Sequence, residues 1–187
     1  KDALYCDDAG NTRRRAARTV LDAVFNRLVL WFAPVLSFTA EEVWQSRFGV
    51  DADSVHRQIW PSAPAEWQND LLAAKWEKIR GVRSKVTAAI EVMRRDKVIG
   101  SSLQASAAVT VLDQDVVDAF DGLDAAEIFI TSTARLEVGP VADVNVTVAS
   151  GDKCERCWVI LPEVSENGDL CNRCTDAVAA HDKVANG

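Results

Sequence analysis

Two C-x-x-C pairs, Cys154/Cys157 and Cys171/Cys174, stand thirteen residues apart in the last third of the chain. No other feature constrains the folding as strongly. A C-x-x-C step places two thiolates on one tight turn, both able to reach a single cation at about 2.3 Å. Two such turns complete a tetrahedral four-sulfur site, which zinc accepts without electronic preference. The segment between the pairs, from Trp158 to Val164 and on to Asn167-Gly168, suits the short hairpin of a zinc ribbon. The spacing therefore predicts one structural Zn2+ on Cys154, Cys157, Cys171 and Cys174. With every ligand supplied by the protein, no position stays open for an activated water.

Other uses of these thiols fit less well. A redox C-x-x-C needs one pair, at a helix N-terminus in a βαβ setting. Disulfides need an oxidising compartment, and no apolar run with a cleavage site opens the chain to argue for export. The first residue is Lys1 rather than Met, so a piece of a longer protein is expected. Cys6 stands apart and reads as an ordinary free cysteine, and His56 and His181 read as ordinary surface or packing histidines.

Upstream of the cysteines, helical periodicity dominates. Leu21, Val24, Phe25, Leu28, Phe32, Val35 and Leu36 recur at three- and four-residue steps within a helical stretch from 12 to about 47. Asn11 or Thr12 is the expected N-cap, and Pro34 should kink or end the helix near Phe32. Thr39 and Glu42 form a capping-box pattern, which predicts a second short helix beginning near Ala40. The segment Ser54 to Pro61 reads as an extended linker. A long helix is predicted over Asp70 to Arg95, with Leu72, Ile79, Val86 and Met93 repeating every seven residues. That spacing suits lengthwise packing on antiparallel helices; Arg83 interrupts the seam, which favours a bundle over a free coiled coil.

The periodicity changes at Gly100-Ser101-Ser102. Ala107–Leu112, Glu127–Thr131 and Val144–Val148 read as short strands, and Asp115–Phe120 as a brief helix. The expected architecture is thus multidomain and mainly α. A helical bundle spans 1–99, a small α+β junction unit 100–150 and a zinc ribbon 151–187.

Hydrophobic residues at 48% and charged residues at 26% describe a folded protein, and no run reaches the roughly 20 apolar residues of a membrane span. A net charge of -7 argues against non-specific coating of nucleic acid, though it permits local basic patches. Two such patches stand out. Arg13, Arg14, Arg15 and Arg18 crowd a helix start, the wrong end for the macrodipole, and suit either a phosphate or nearby acids. Lys153, Arg156 and Arg173 surround the cysteines, with Trp158 directly after the second one. That ring could stack on an unpaired base, or it could roof the ribbon's small core. Signatures of catalysis are absent: the sequence holds no G-x-S-x-G, H-E-x-x-H or Gly-rich phosphate loop.

The motifs in order, RRRAARTVLDAVFNRLVLWFAPVLSFTAEEVW, SVHRQIWP, KVIGSSLQA, KCERCW and LCNRC, resemble isoleucyl-tRNA synthetase of the bacterial type across essentially the whole chain. The first stretch alone would indicate the anticodon-binding domain of class I synthetases; KCERCW narrows the likeness to the isoleucyl branch. The resemblance implies a cytoplasmic enzyme that activates isoleucine with ATP, charges isoleucine tRNA and edits mischarged valine. The HIGH and KMSKS signatures are absent, so ATP and Mg2+ would belong to upstream catalytic and editing domains that this chain lacks. The chain is then expected to be the C-terminal anticodon-recognising region, inactive alone, with the four cysteines as zinc ligands. Trp158, Arg156, Lys153, Arg173, Arg13, Arg14, Arg15 and Arg18 are its candidate tRNA contacts. Val159-Ile160 and Arg57 depart from the residues usual in the family. The alternative is a structural or protein-interaction module, a helical body capped by a zinc ribbon without RNA contact.

Overall fold

The computed structural model describes residues 2–165 and 169–185. The chain forms two compact units, one built on residues 2–68 and the other on 69–182. It is mainly helical, with two small sheets.

In the first unit a short helix α1 (Asp2–Tyr5) precedes α2 (Thr12–Phe32). Asn11 is the N-cap, its side chain accepting the Arg13 N–H at 2.8 Å and satisfying one amide that helix geometry leaves unpaired. As Pro34 predicts, α2 ends at Phe32. Helix α3 (Ser37–Phe48) begins earlier than the capping-box pattern suggested. Leu36 is its N-cap and has no side-chain oxygen to cap it, while Thr39 lies inside the first turn. The neighbouring carboxylate does the tethering instead. Glu41 accepts Ser54 Oγ at 2.8 Å and Val55 N at 2.9 Å, tying α3 to the following loop. The stretch read as extended contains a 3-10 turn, Val55–Arg57, capped by Ser54. Val29, Leu30, Ala33, Ala40 and Val55 form the small core of this unit, with Phe25 and Trp44 against it.

The second unit is organised on α4 (Asp70–Arg95), whose bounds match the sequence reading. Its packing does not. The buried stripe is Ile79, Val82, Val86 and Ile90, and Leu72 at the start of the expected seam is exposed. These side chains meet a sheet, not antiparallel helices: Ala105, Ala107 and Val109 share their core with Phe120 and Phe129. A sheet face accepts a wider stripe than a coiled-coil seam, and the alanines let the helix backbone approach. The helix therefore joins the unit that follows it rather than a 1–99 bundle.

The sheet has the order β2-β1-β3, with β1 (Ala105–Val111) central. Helices α5 (Gln114–Asp118) and α6 (Ala125–Phe129) cross over to β2 (Thr133–Val138), parallel to β1; β3 (Asp143–Val148) returns antiparallel. The Glu127–Thr131 run is thus not a strand. Asp124 accepts the N–H groups of Ala126 and Glu127 at 2.8 and 3.4 Å, and this cap commits the segment to helix despite its β-branched residues. After β3 come β4 (Asp152–Lys153), β5 (Ile160–Leu161) and α7 (Asn172–Ala185).

Candidate metal centre

The antiparallel pair β4–β5 wraps the first C-x-x-C, pairing Asp152 with Leu161 and Lys153 with Ile160. Gly151 opens it at φ +111°, where a Cβ would lie 2.3 Å from the Leu161 carbonyl carbon. Only glycine fits both that backbone and that approach. Inside the hairpin, Cys154 N–H donates to Val159 O and Trp158 N–H to Cys154 O, both at 2.9 Å. The second C-x-x-C differs from expectation: Cys171 immediately precedes α7 and Cys174 lies in its first turn. The Asn167-Gly168 turn lies outside the described residues.

All four cysteines are buried, and their sulfurs lie within 4.8 Å of one another. Cys157 Sγ and Cys171 Sγ are 3.7 Å apart. A regular tetrahedron with metal–sulfur bonds of about 2.3 Å puts sulfurs roughly 3.8 Å apart, so the donors fit one zinc ion. Their electrostatics fit too. Burial raises the Cys154 thiol, but N–H groups from Cys157, Cys171 and Arg156 outweigh it and bring it from 9.0 down to about 6. Burial pushes the Cys157 and Cys171 thiols up. Four crowded sulfurs are costly to ionise together until a divalent cation neutralises them. Arg156 Nη1 lies 3.7 Å from Cys174 Sγ, where it offsets the excess negative charge of a four-thiolate zinc. Arg156, a candidate tRNA contact by sequence, thus lies against the cysteine cluster.

Trp158 has a left-handed backbone, φ +68°, and its side chain is 51% exposed. Lys153 Nζ sits 5.6 Å from the ring centroid. The residue is thus half-exposed, whereas Val164 and Ala177 are buried. Arg173, between the last two cysteines, is half-buried.

The arginine cluster divides. Arg13 grips buried Asp7 through Nε and Nη2 at 2.8 and 3.0 Å and reaches Asp2 at 3.2 Å. Arg14 donates to the Asp7 carbonyl at 2.9 Å. These two hold α1 to α2, as the nearby-acid reading expected. Arg15 and Arg18 are exposed and line a shallow concavity with Arg47, over Leu21 and Phe25. Arg47 escaped the sequence reading because it reaches this face from α3, 29 residues beyond Arg18. A second concavity at the end of α4 brings together Arg94, Arg95 and Lys97, with Arg94 paired to Glu91 and Arg95 to Asp96. The remaining isolated residues behave as expected. His56 Nε2 lies 3.2 Å from Ser37 O, His181 is exposed beside Asp182, and Cys6 is buried away from the cluster.

Residues 1–109 match the family model of the anticodon-binding domain of tRNA ligase, and residues 151–177 match the zinc finger found in FPG and IleRS. The chain belongs to the anticodon-binding-domain family of tRNA ligases. Within it, the resemblance to isoleucyl-tRNA synthetase holds. The chain is 50% identical to an isoleucine–tRNA ligase of Gluconobacter oxydans, over 96% of its own length and 19% of the relative's. It is 45% identical to those of Caulobacter vibrioides and Zymomonas mobilis, over 97% and 95% of its length. The chain thus spans about a fifth of the length of the curated relatives it matches. Among the described residues, no helix is long and apolar enough to cross a membrane.

Proposed function

We propose that this chain is the tRNA-binding, zinc-holding C-terminal region of an isoleucine–tRNA ligase, a cytoplasmic enzyme. Residues 1–109, the stretch matched by the anticodon-binding-domain model, would grip the anticodon stem and loop, and the sheet that shares its core with α4 would carry the ribbon. Activation of isoleucine with ATP and Mg2+, and editing of mischarged valine, would occur in upstream domains of the same polypeptide. The observation that carries the reading is Trp158, half-exposed directly after the first cysteine pair, with the Lys153 ammonium 5.6 Å from its ring centroid. Such a ring stacks on an unpaired base while cations hold the flanking phosphates. The zinc takes no part in chemistry; it holds the knuckle that presents the ring.

Trp158→Ala tests this directly. Binding of an isoleucine tRNA transcript should weaken by about 1–3 kcal/mol of lost stacking, with zinc content and melting temperature unchanged. An anticodon-swapped transcript should bind more weakly than the native one, and binding should fall with salt. Equal affinity for both transcripts would overturn anticodon reading by this chain.

A specific observation also supports the protein-interaction reading. Leu21, Val24, Leu28, Trp31 and Val35 form one exposed apolar stripe along and just past α2. A stripe at three- and four-residue steps is what a partner helix covers. The two readings combine if that partner belongs to the upstream part of the same polypeptide.

A further inference from the structure

A hairpin of two-residue strands cannot hold its own orientation, because isolated two-stranded pairs are marginal even when longer. Zinc fixes the ribbon's internal geometry, but its aim relative to the α4–sheet body must come from other contacts. Two hydrogen bonds among the described residues contribute to it. In the link from β3 to β4, Ala149 N–H donates to Gln104 O at 2.8 Å. On the strand leading out, Ile160 N–H donates to Ser132 Oγ at 2.7 Å. The Ser132 hydroxyl in turn donates to Leu103 O. Successive carbonyls of one turn, Leu103 and Gln104, thus anchor β5, through Ser132, and the link that leads into β4.

That turn is itself fastened. Ser101 and Gln104 form a capping box, and Gln104 Oε1 accepts the Gly100 and Ser101 amides at 2.6 and 3.1 Å. Ser132 is 6% exposed and equally constrained. Ile130 ends α6 in the left-handed region at φ +60°, a costly conformation for a β-branched residue. The next amide, Thr131 N–H, closes to Ala126 O at 2.9 Å, and Thr131 Oγ1 donates to Thr133 O at 3.0 Å. Strain of this kind persists only where the surroundings over-determine it.

From this geometry we infer that Ser132 is a positioning residue for RNA recognition: its hydroxyl clasps β5 to the sheet body and so sets the direction in which Trp158, two residues before Ile160, is presented. The inference rests on the reading of Trp158 as the RNA-facing ring. The hydroxyl bonds to the Ile160 amide and the Leu103 carbonyl and is no member of the cysteine cluster. Its effect passes through the Ile160 amide.

The test uses the full chain, the isoleucine tRNA transcript and a double-mutant cycle. Ser132→Ala should keep one zinc per chain and a cooperative melt, while amide exchange at Ile160 accelerates. Its tRNA affinity should fall roughly three- to tenfold, the scale of one or two lost hydrogen bonds. Ser132→Thr should restore affinity. In the Trp158→Ala background, Ser132→Ala should cost nothing further, because the clasp acts through that ring. A Ser132→Ala loss that persists in that background overturns the proposal, as does loss of zinc or of the cooperative melt. Wild-type binding by Trp158→Ala removes the stacking reading and this proposal together. A loss at Trp158→Ala beside wild-type binding by Ser132→Ala removes the clasp alone.

Discussion

Helices α2 and α4 carry apolar residues at the same three- and four-residue steps, yet their surroundings differ. In α4, Val86 is 0% exposed, sealed with Ile79, Val82 and Ile90 against a sheet that the same chain supplies. In α2, Leu28 is 42% exposed and its stripe neighbours are open as well, because the small core of that unit uses Phe25, Val29 and Leu30 on another face. Periodicity states that a helix needs a partner. It does not state whether the partner lies nearby in sequence, or what kind of element it is.

The contrast can be broken or sharpened by experiment. The largest effect belongs to the metal, whose binding free energy in structural sites is about 10 kcal/mol or more. Cys154→Ser should abolish zinc binding and unfold the ribbon, while amide protection in α4 survives because its core contains no cysteine. Collapse of α4 protection would show the second unit to be one metal-dependent body. Ile79→Ala comes next, at about 2–5 kcal/mol of stability by thermal or urea melting, since it opens a cavity in a closed core. Leu28→Ala, made in the other helix, should change the melt by no more than about 0.5 kcal/mol. A cost at Leu28 approaching that at Ile79 would mean that the α2 stripe is already covered.

The smallest effect is that of acid. The Lys78 hydrogen bond holds Asp115 below the ordinary 3.8, and hydrogen bonds led by that from Ser54 hold Glu41 below 4.5. Each carboxylate therefore contributes stability above its ordinary value, and the contribution is lost as pH falls through the lowered one. Both groups are solvent-facing, so the losses should be slight and salt-sensitive. Asp115→Asn and Glu41→Gln should each flatten the acid limb of a melting-temperature profile in its own unit. An unchanged profile would show that neither pair contributes.

What the sequence disclosed follows from the range of each signal. The cysteine cluster was legible because each C-x-x-C is local chemistry. The bounds of α4 and the end of α2 were legible because Asn69 and Pro34 act on adjacent residues. The start of α3 was misread because Thr39 and Glu42 satisfy a pattern that the actual N-cap, Leu36, lacks. Strand β2 was displaced onto α6, since Ile128, Ile130 and Thr131 have strand propensity and the Asp124 cap overrides it. The division of α4 from the sheet was wrong because their shared core is long-range. The same holds for Ser132, 28 residues from the amide it accepts.

The left-handed backbone at Trp158 makes the ring a cocked part. A tryptophan released from the knuckle relaxes toward extended or right-handed backbone, at a gain of about 1–2 kcal/mol, and the ring swings away with it. Metal occupancy and ring display are then one variable: a chain stripped of zinc would lose the aim of its aromatic contact before losing the helices behind it. Zinc supply would thereby set how many copies are ready to engage a partner, while α4 and its sheet stay folded in all of them.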